Sequence, residues 1–231
     1  MSILAHQKQN DQTVEFRPAP ESLWVPSKQA NDVAKRVIDL VGASCAVLIL
    51  SPIMLVVALL IRLTSPGPVI FRQKRLGYQG RVFSCYKFRT MHKNAEARQK
   101  ELDALNEQTA GVLFTMKKDP RITPIGKFLR RTSLDELPQF FNVILGDMSL
   151  VGPRPALFNQ DDLIALRTEK NVHLMVPGLT GWAQINGRDE LPIPDKVVLD
   201  TFYLEHQTFL LDLRILLLTL FKVIKRDGVS H

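Results

Sequence analysis

From Leu40 to Ile61 the chain reads LVGASCAVLILSPIMLVVALLI, 22 residues without a charge. At about 1.5 Å per residue a helix of that length covers the roughly 30 Å hydrocarbon layer of a bilayer, so a transmembrane helix is the first reading. Two features argue against a plain crossing. Ser51-Pro52 stands near the centre, where proline removes a backbone donor and clashes with the preceding turn. Both flanks are basic, with Lys35 and Arg36 before the run and Arg62, Arg72, Lys74 and Arg75 after it, and cytoplasmic loops are the ones that collect lysine and arginine. A helix that breaks at Ser51-Pro52, dips into one leaflet and returns satisfies both observations. A proline-kinked single span stays open on these residues alone.

A second apolar stretch, FLLDLRILLLTLF at 209–221, contains Asp212 and Arg214 and is followed by Lys222, Lys225 and Arg226. It is too short to span. An amphipathic helix lying at the interface, with cations against anionic lipid headgroups, fits this layout, and a core helix is the alternative. Residues 1–32 are polar, with Pro18, Pro20 and Pro26 but no apolar signal region, which predicts a flexible N-terminal arm. The only cysteines, Cys45 and Cys85, are far apart and form no metal-binding spacing.

The 231 residues suit one domain with a short arm, and the net charge of +7 points to an anionic partner. No acidic residue occurs between Asp39 and Glu96, while Arg62, Arg72, Lys74, Arg75, Arg81, Lys87, Arg89 and Lys93 all lie there. Within that interval PVIFRQKRLGYQGRVFSCYKFRTM alternates apolar and polar residues around Gly77 to Gly80, which predicts a β-hairpin ending in the basic strand YKFRTM. Neither an aromatic stacking platform nor a helix-turn-helix pattern supports nucleic acid as the anionic partner.

In LRRTSLDELPQFFNVILGDMSLVGPRP two adjacent carboxylates, Asp135 and Glu136, interrupt this cationic surface. Ser133-Leu134-Asp135-Glu136 matches the capping box, in which Glu136 would serve only the helix start. Pro138 argues for a start nearer Asp135. A helix N-terminus with Arg130 and Arg131 beside it attracts phosphate. Carboxylates at such a place suggest a bridging divalent cation, for which Mg²⁺ held by one or two carboxylates plus substrate phosphate is the natural choice. A carboxylate there can also attack phosphorus and form a covalent intermediate.

KRVIDLVGASCAVLILSPIMLVVALLIRLTSPGPVIFRQKRLG, YKFRTM, LRRTSLDELPQFFNVILGDMSLVGPRP and PGLTGWAQINGR occur in this order. From about Lys35 to Ser230 the chain resembles the bacterial sugar transferases, the monotopic polyprenyl-phosphate phosphoglycosyl transferases. The resemblance implies a mostly helical α/β membrane-associated fold with a re-entrant membrane helix hairpin over about 36–63, interfacial amphipathic helices and a small β-hairpin, the transferase domain being 33–231. It implies transfer of a sugar-1-phosphate from a UDP-sugar to undecaprenyl phosphate with release of UMP. The setting would be the cytoplasmic face of the bacterial inner membrane, as the first membrane step of polysaccharide assembly.

By the same resemblance Asp135 is the nucleophile and Glu136 the Mg²⁺ ligand. Lys87, Arg130, Arg154, Arg188 and Asp200 fall on substrate-binding positions, and Ser51 and Pro52 on the helix break. The long segment 96–121 is similar to that of hexose-specific relatives, which favours glucose or galactose. Anionic lipids are expected partners, and a homo-oligomer is left open. An inert membrane-surface scaffold is the rival reading, and it would need none of these side chains.

Overall fold

A computed structural model describes residues 26–93, 95, 121–187 and 191–225, apart from the side chains of 26–32 and of residue 224. Helix α1 (Pro26–Thr64) is the longest element. It leads into strands β1 (Ile70–Leu76) and β2 (Val82–Phe88), then α2 (Pro124–Arg131), α3 (Gln139–Leu145) and β3 (Ser149–Val151). There follow α4 (Asp161–Glu169), β4 (Gly178–Thr180), α5 (Trp182–Ile185), α6 (Ile193–His206) and α7 (Phe209–Lys225). The architecture is therefore mostly helical with two small sheets, β1 antiparallel to β2 and β3 parallel to β4.

α1 is one helix with Pro52 inside it, not two separate helices. The expected break is marked only by the Ser51 hydroxyl, which donates to the Leu48 carbonyl at 2.8 Å. Among the described residues α1 is the one helix long and apolar enough to cross a membrane. It also takes in 26–32, the end of the expected arm; the rest of that arm, 1–25, lies outside the described residues.

α1 buries few residues, in two sets, and exposes most of its apolar side chains, Val41, Leu55, Val56 and Leu59 among them. Asp39 and Ala43 are buried near the start and Met54, Val57 and Ile61 toward the end, while Leu48, Ile49 and Ile53 in between are exposed. Ala43 belongs to the main core with Val143, Met148, Leu150, Tyr203 and Ile215. Met54, Val57 and Ile61 form a second core with Phe88 and Leu129. Polar contacts lock the start of the helix to the same body. Arg36 donates to the Val143 and Ile144 carbonyls at 2.6 and 2.9 Å, as suits a cation at the C-terminus of α3. Asp39 accepts from the Leu150 amide at 2.9 Å, and Lys35 pairs with Asp212 of α7 at 2.7 Å.

The hairpin forms as its alternation predicts, with Phe71 opposite Lys87 and Arg72 opposite Tyr86. Its turn uses Gln79 and Gly80 at positive φ. The outer edge of β2 has a side chain as partner: Asn142 of α3 accepts from the Tyr86 amide at 2.9 Å and donates to the Ser84 carbonyl at 2.8 Å. This fully buried asparagine satisfies strand groups whose loss would be costly. At the second sheet a Cβ on Gly178 would lie 2.0 Å from the Gly152 nitrogen, so only glycine allows the two loops to meet. α7 buries Ile215 completely yet exposes Phe209, Leu210, Leu213, Leu217, Leu220 and Phe221. It is thus docked on one side and apolar on its free side.

Candidate active site

The capping box does not form. Ser133 takes a left-handed backbone (φ 54°) and makes no side-chain cap, and Leu134–Glu136 is a separate 3-10 turn ahead of α3. Pro138 occupies the N-cap position of α3, which explains why the two helical pieces do not merge. The Glu136 carboxylate turns instead to two cations. Its Oε1 accepts from Lys87 Nζ at 2.9 Å and from Arg154 Nη2 at 3.1 Å, joining β2 to the loop after β3.

Asp135 beside it is only 9% exposed. Burial, then the neighbouring Glu136 charge, push its pKa up to about 6, against the pull of Lys87, Arg130 and its own backbone N–H. A carboxylate so destabilised is still mostly ionised at neutral pH. It is more basic than an ordinary aspartate, and each step toward a more basic oxygen favours attack on an electrophile.

Arg130, near the end of α2, is positioned by its Nε donating to Thr90 Oγ1 at 3.0 Å. Thr90 lies just past β2, and its carbonyl also accepts from the Thr123 amide, which fixes the start of α2. The Arg154 loop is gripped from both sides. Arg75 of β1 donates to the Pro155 carbonyl at 2.8 Å, and Arg167 of α4 donates to the Arg154 carbonyl at 2.7 Å. Arg167 is itself held by Asp200 Oδ2 through Nε and Nη2 at 3.0 and 2.6 Å.

Of the residues singled out from the sequence, Asp135, Glu136, Lys87, Arg130 and Arg154 come together. Asp200 is 2% exposed behind the Arg154 loop, joined to the site through Arg167. Arg188 lies outside the described residues, and Ser51 and Pro52 lie within α1. Thr90, Arg167 and Asn142 carry no sequence signal of their own, and Arg75 signals only as one cation of the basic interval; each acts through a partner distant along the chain.

A divalent cation can be tested against this donor set. Among the described residues no three His, Cys, Asp or Glu side chains converge into a metal cage. Asp135 and Glu136 offer hard oxygens from two adjacent residues, which fits Mg²⁺ that takes its remaining ligands from water and phosphate.

The bacterial sugar transferase family model matches residues 30–226, nearly the whole described region. The chain belongs to the bacterial sugar transferase family. The galactosyl transferase CpsE of Streptococcus agalactiae serotype III (strain NEM316) is 43% identical over 204 residues, covering 88% of this chain and 45% of that protein. The UDP-glucose:undecaprenyl-phosphate glucose-1-phosphate transferase of Escherichia coli (strain K12) is 41% identical over 204 residues, covering 85% of this chain and 41% of that protein. This sugar transferase chain thus spans less than half the length of those two curated relatives. The uncharacterized sugar transferase EpsL of Bacillus subtilis (strain 168) is 40% identical over 201 residues, covering 86% of this chain and 91% of EpsL.

Proposed function

We propose that the chain transfers a hexose-1-phosphate from a UDP-hexose to undecaprenyl phosphate and releases UMP. The observation that carries this reading is the pairing of Glu136 with Lys87 and Arg154 beside a buried Asp135 of raised pKa, at the foot of an apolar helix. An inert scaffold has no need of two adjacent carboxylates among converging cations. Relatives named for glucose and galactose transfer support a hexose donor.

In the first step an Asp135 carboxylate oxygen attacks the phosphorus that bears the sugar. The bond from that phosphorus to the bridging oxygen breaks, and UMP leaves with the electron pair. In the second step a phosphate oxygen of the lipid attacks the same phosphorus and expels Asp135, which returns as carboxylate. Lys87, Arg130 and Arg154 hold the diphosphate by charge-assisted hydrogen bonds and steady the charge on the leaving UMP. Glu136 would hold Mg²⁺, which would supply Lewis-acid neutralisation of phosphate charge. Arg188 and Asp200 belong to the same proposal, Asp200 by bracing the Arg154 loop through Arg167.

The membrane helix is re-entrant in this account. Burial of Asp39 and Ala43 before Ser51-Pro52, and of Met54, Val57 and Ile61 after it, supports that reading. The exposed apolar side of α7 then meets the same leaflet, with anionic lipid near Lys222 and Lys225. The active site faces the cytoplasm, where the sugar nucleotide is made. The transferase domain begins near residue 33 in this reading.

The direct test is UMP release on mixing the protein with a panel of UDP-sugars, undecaprenyl phosphate and Mg²⁺. Release with UDP-glucose or UDP-galactose supports the reading, and none with any donor removes it.

A further inference from the structure

Within its sheet, strand β1 has a neighbour on one side only. The Tyr86 amide and the Ser84 carbonyl of β2 point away from it, since both are taken by Asn142. Their cross-strand partners in β1 are Arg72 and Lys74. In an antiparallel pair these are therefore the positions without ladder bonds, so the N–H and C=O groups of Arg72 and Lys74 also point outward, away from β2. The same parity holds at Leu76, whose amide donates outward to the Ala156 carbonyl at 3.0 Å. Ala156 thus opens a third, antiparallel strand and then leaves it, because the Leu157 amide turns to Gln160 Oε1 at 2.9 Å. Among the described residues no strand covers the rest of the edge, from Ile70 to Lys74.

The charge of this edge selects what can cover it. Arg72 and Lys74 are both exposed, share one face of the strand, and meet no carboxylate among the described residues. The surrounding chain offers them none, since no acid occurs between Asp39 and Glu96. Ile70, at the next position of the same parity, is an exposed apolar side chain. A second copy of this chain fits poorly, as pairing β1 with β1 sets these cations against one another. A lipid phosphate can accept from the outward amides, but it offers no row of donors at strand spacing to the carbonyls.

We propose that the Ile70–Lys74 edge of β1 takes up an extended acidic segment of a partner protein as a third strand. Continuing the antiparallel sense of Ala156, that segment carries acidic residues opposite Lys74 and then Arg72, and an apolar residue opposite Ile70, each separated by one residue. Backbone bonds supply the grip, and the two carboxylates select the partner. The edge goes beyond the transfer reaction, for it uses no residue of the Lys87–Glu136–Arg154 cluster. It does place a partner next to the loop that carries Arg154.

The test uses the whole chain in phosphatidylcholine nanodiscs and a fluorescein-labelled, capped peptide, Ser-Glu-Thr-Glu-Thr-Val-Thr, followed by fluorescence anisotropy. Wild type should bind it. The double variant Arg72→Glu, Lys74→Glu should bind roughly tenfold more weakly or worse, and should instead prefer Ser-Lys-Thr-Lys-Thr-Val-Thr. Both replaced side chains are exposed, so the variant should fold, which thermal unfolding checks. N-methylation of the two glutamate nitrogens, which face β1, should abolish binding, whereas methylation of the two inner threonine nitrogens, which face away, should not. No binding up to about 1 mM peptide, equal affinity of wild type and double variant, or indifference to glutamate N-methylation overturns the proposal. A double variant that loses phosphatidylglycerol vesicles yet keeps the peptide assigns these cations to lipid and overturns it as well.

Discussion

Replacing Asp135 by asparagine should make the protein more stable at neutral pH. The buried carboxyl has a pKa of about 6 against an ordinary 3.8, so the fold favours its protonated form. For such a raised acid the stabilising contribution is fully present below about pH 3.8 and is lost as pH rises through about 6. A difference of about two units corresponds to on the order of 3 kcal/mol of stability given up above pH 7. Asparagine keeps the shape and carries no charge, so Asp135→Asn should recover most of that amount at pH 7.5 and much less at pH 4. In a chain of this size a gain of that order is worth about 6–10 °C in Tm. The assay is thermal unfolding of both proteins in the same detergent, followed by tryptophan fluorescence, at several pH values between 4 and 8. A Tm gap that stays constant across that range, or a variant less stable than wild type at pH 7.5, refutes the reasoning.

The remaining predictions follow from named contacts. kcat/KM for the donor should fall about tenfold per pH unit below about pH 6 as Asp135 of the free protein takes up its proton, which a pH–rate profile checks. Asp200→Ala leaves Arg167 buried without its counter-ion and should destabilise the fold by about 3–5 kcal/mol, measurable by denaturant unfolding. Thr90→Val removes the acceptor for Arg130 Nε and should lower kcat/KM roughly fivefold to tenfold, with Thr90→Ser restoring it. Pro52→Leu should straighten α1 and move one terminus across the bilayer, which accessibility of a single introduced cysteine in a Cys45- and Cys85-free background reports.

Much of this fold is legible in the sequence because local signals and the tertiary structure agree. The alternation through 70–88 gives a hairpin in which the two side chains of each cross-strand pair share a face, and the uncharged run 40–61 gives a long helix. The capping box misleads, because Ser133 adopts a left-handed conformation that aims Glu136 at Lys87 instead of back at the backbone. The two-helix break at Ser51-Pro52 is also not seen as such, since the helix continues through the proline. The supports of the site could not be read at all. Arg75 meets Pro155 from 80 residues away, Arg130 meets Thr90 from 40, and Arg167 meets Asp200 from 33. No pattern of spacing along one chain records which distant oxygen an arginine will find.

The central claim is that Asp135 carries the phosphosugar between two substrates that never need to meet. Incubating the protein with a UDP-hexose and Mg²⁺, without lipid acceptor, and measuring its intact mass tests this most directly. The account predicts one hexose-phosphate added to wild type, with UMP released in the same amount, none on the Asp135→Asn variant, and loss of the adduct when undecaprenyl phosphate is supplied. An unmodified wild type that releases UMP only when the acceptor is present, or an asparagine variant that still gains the mass, contradicts it.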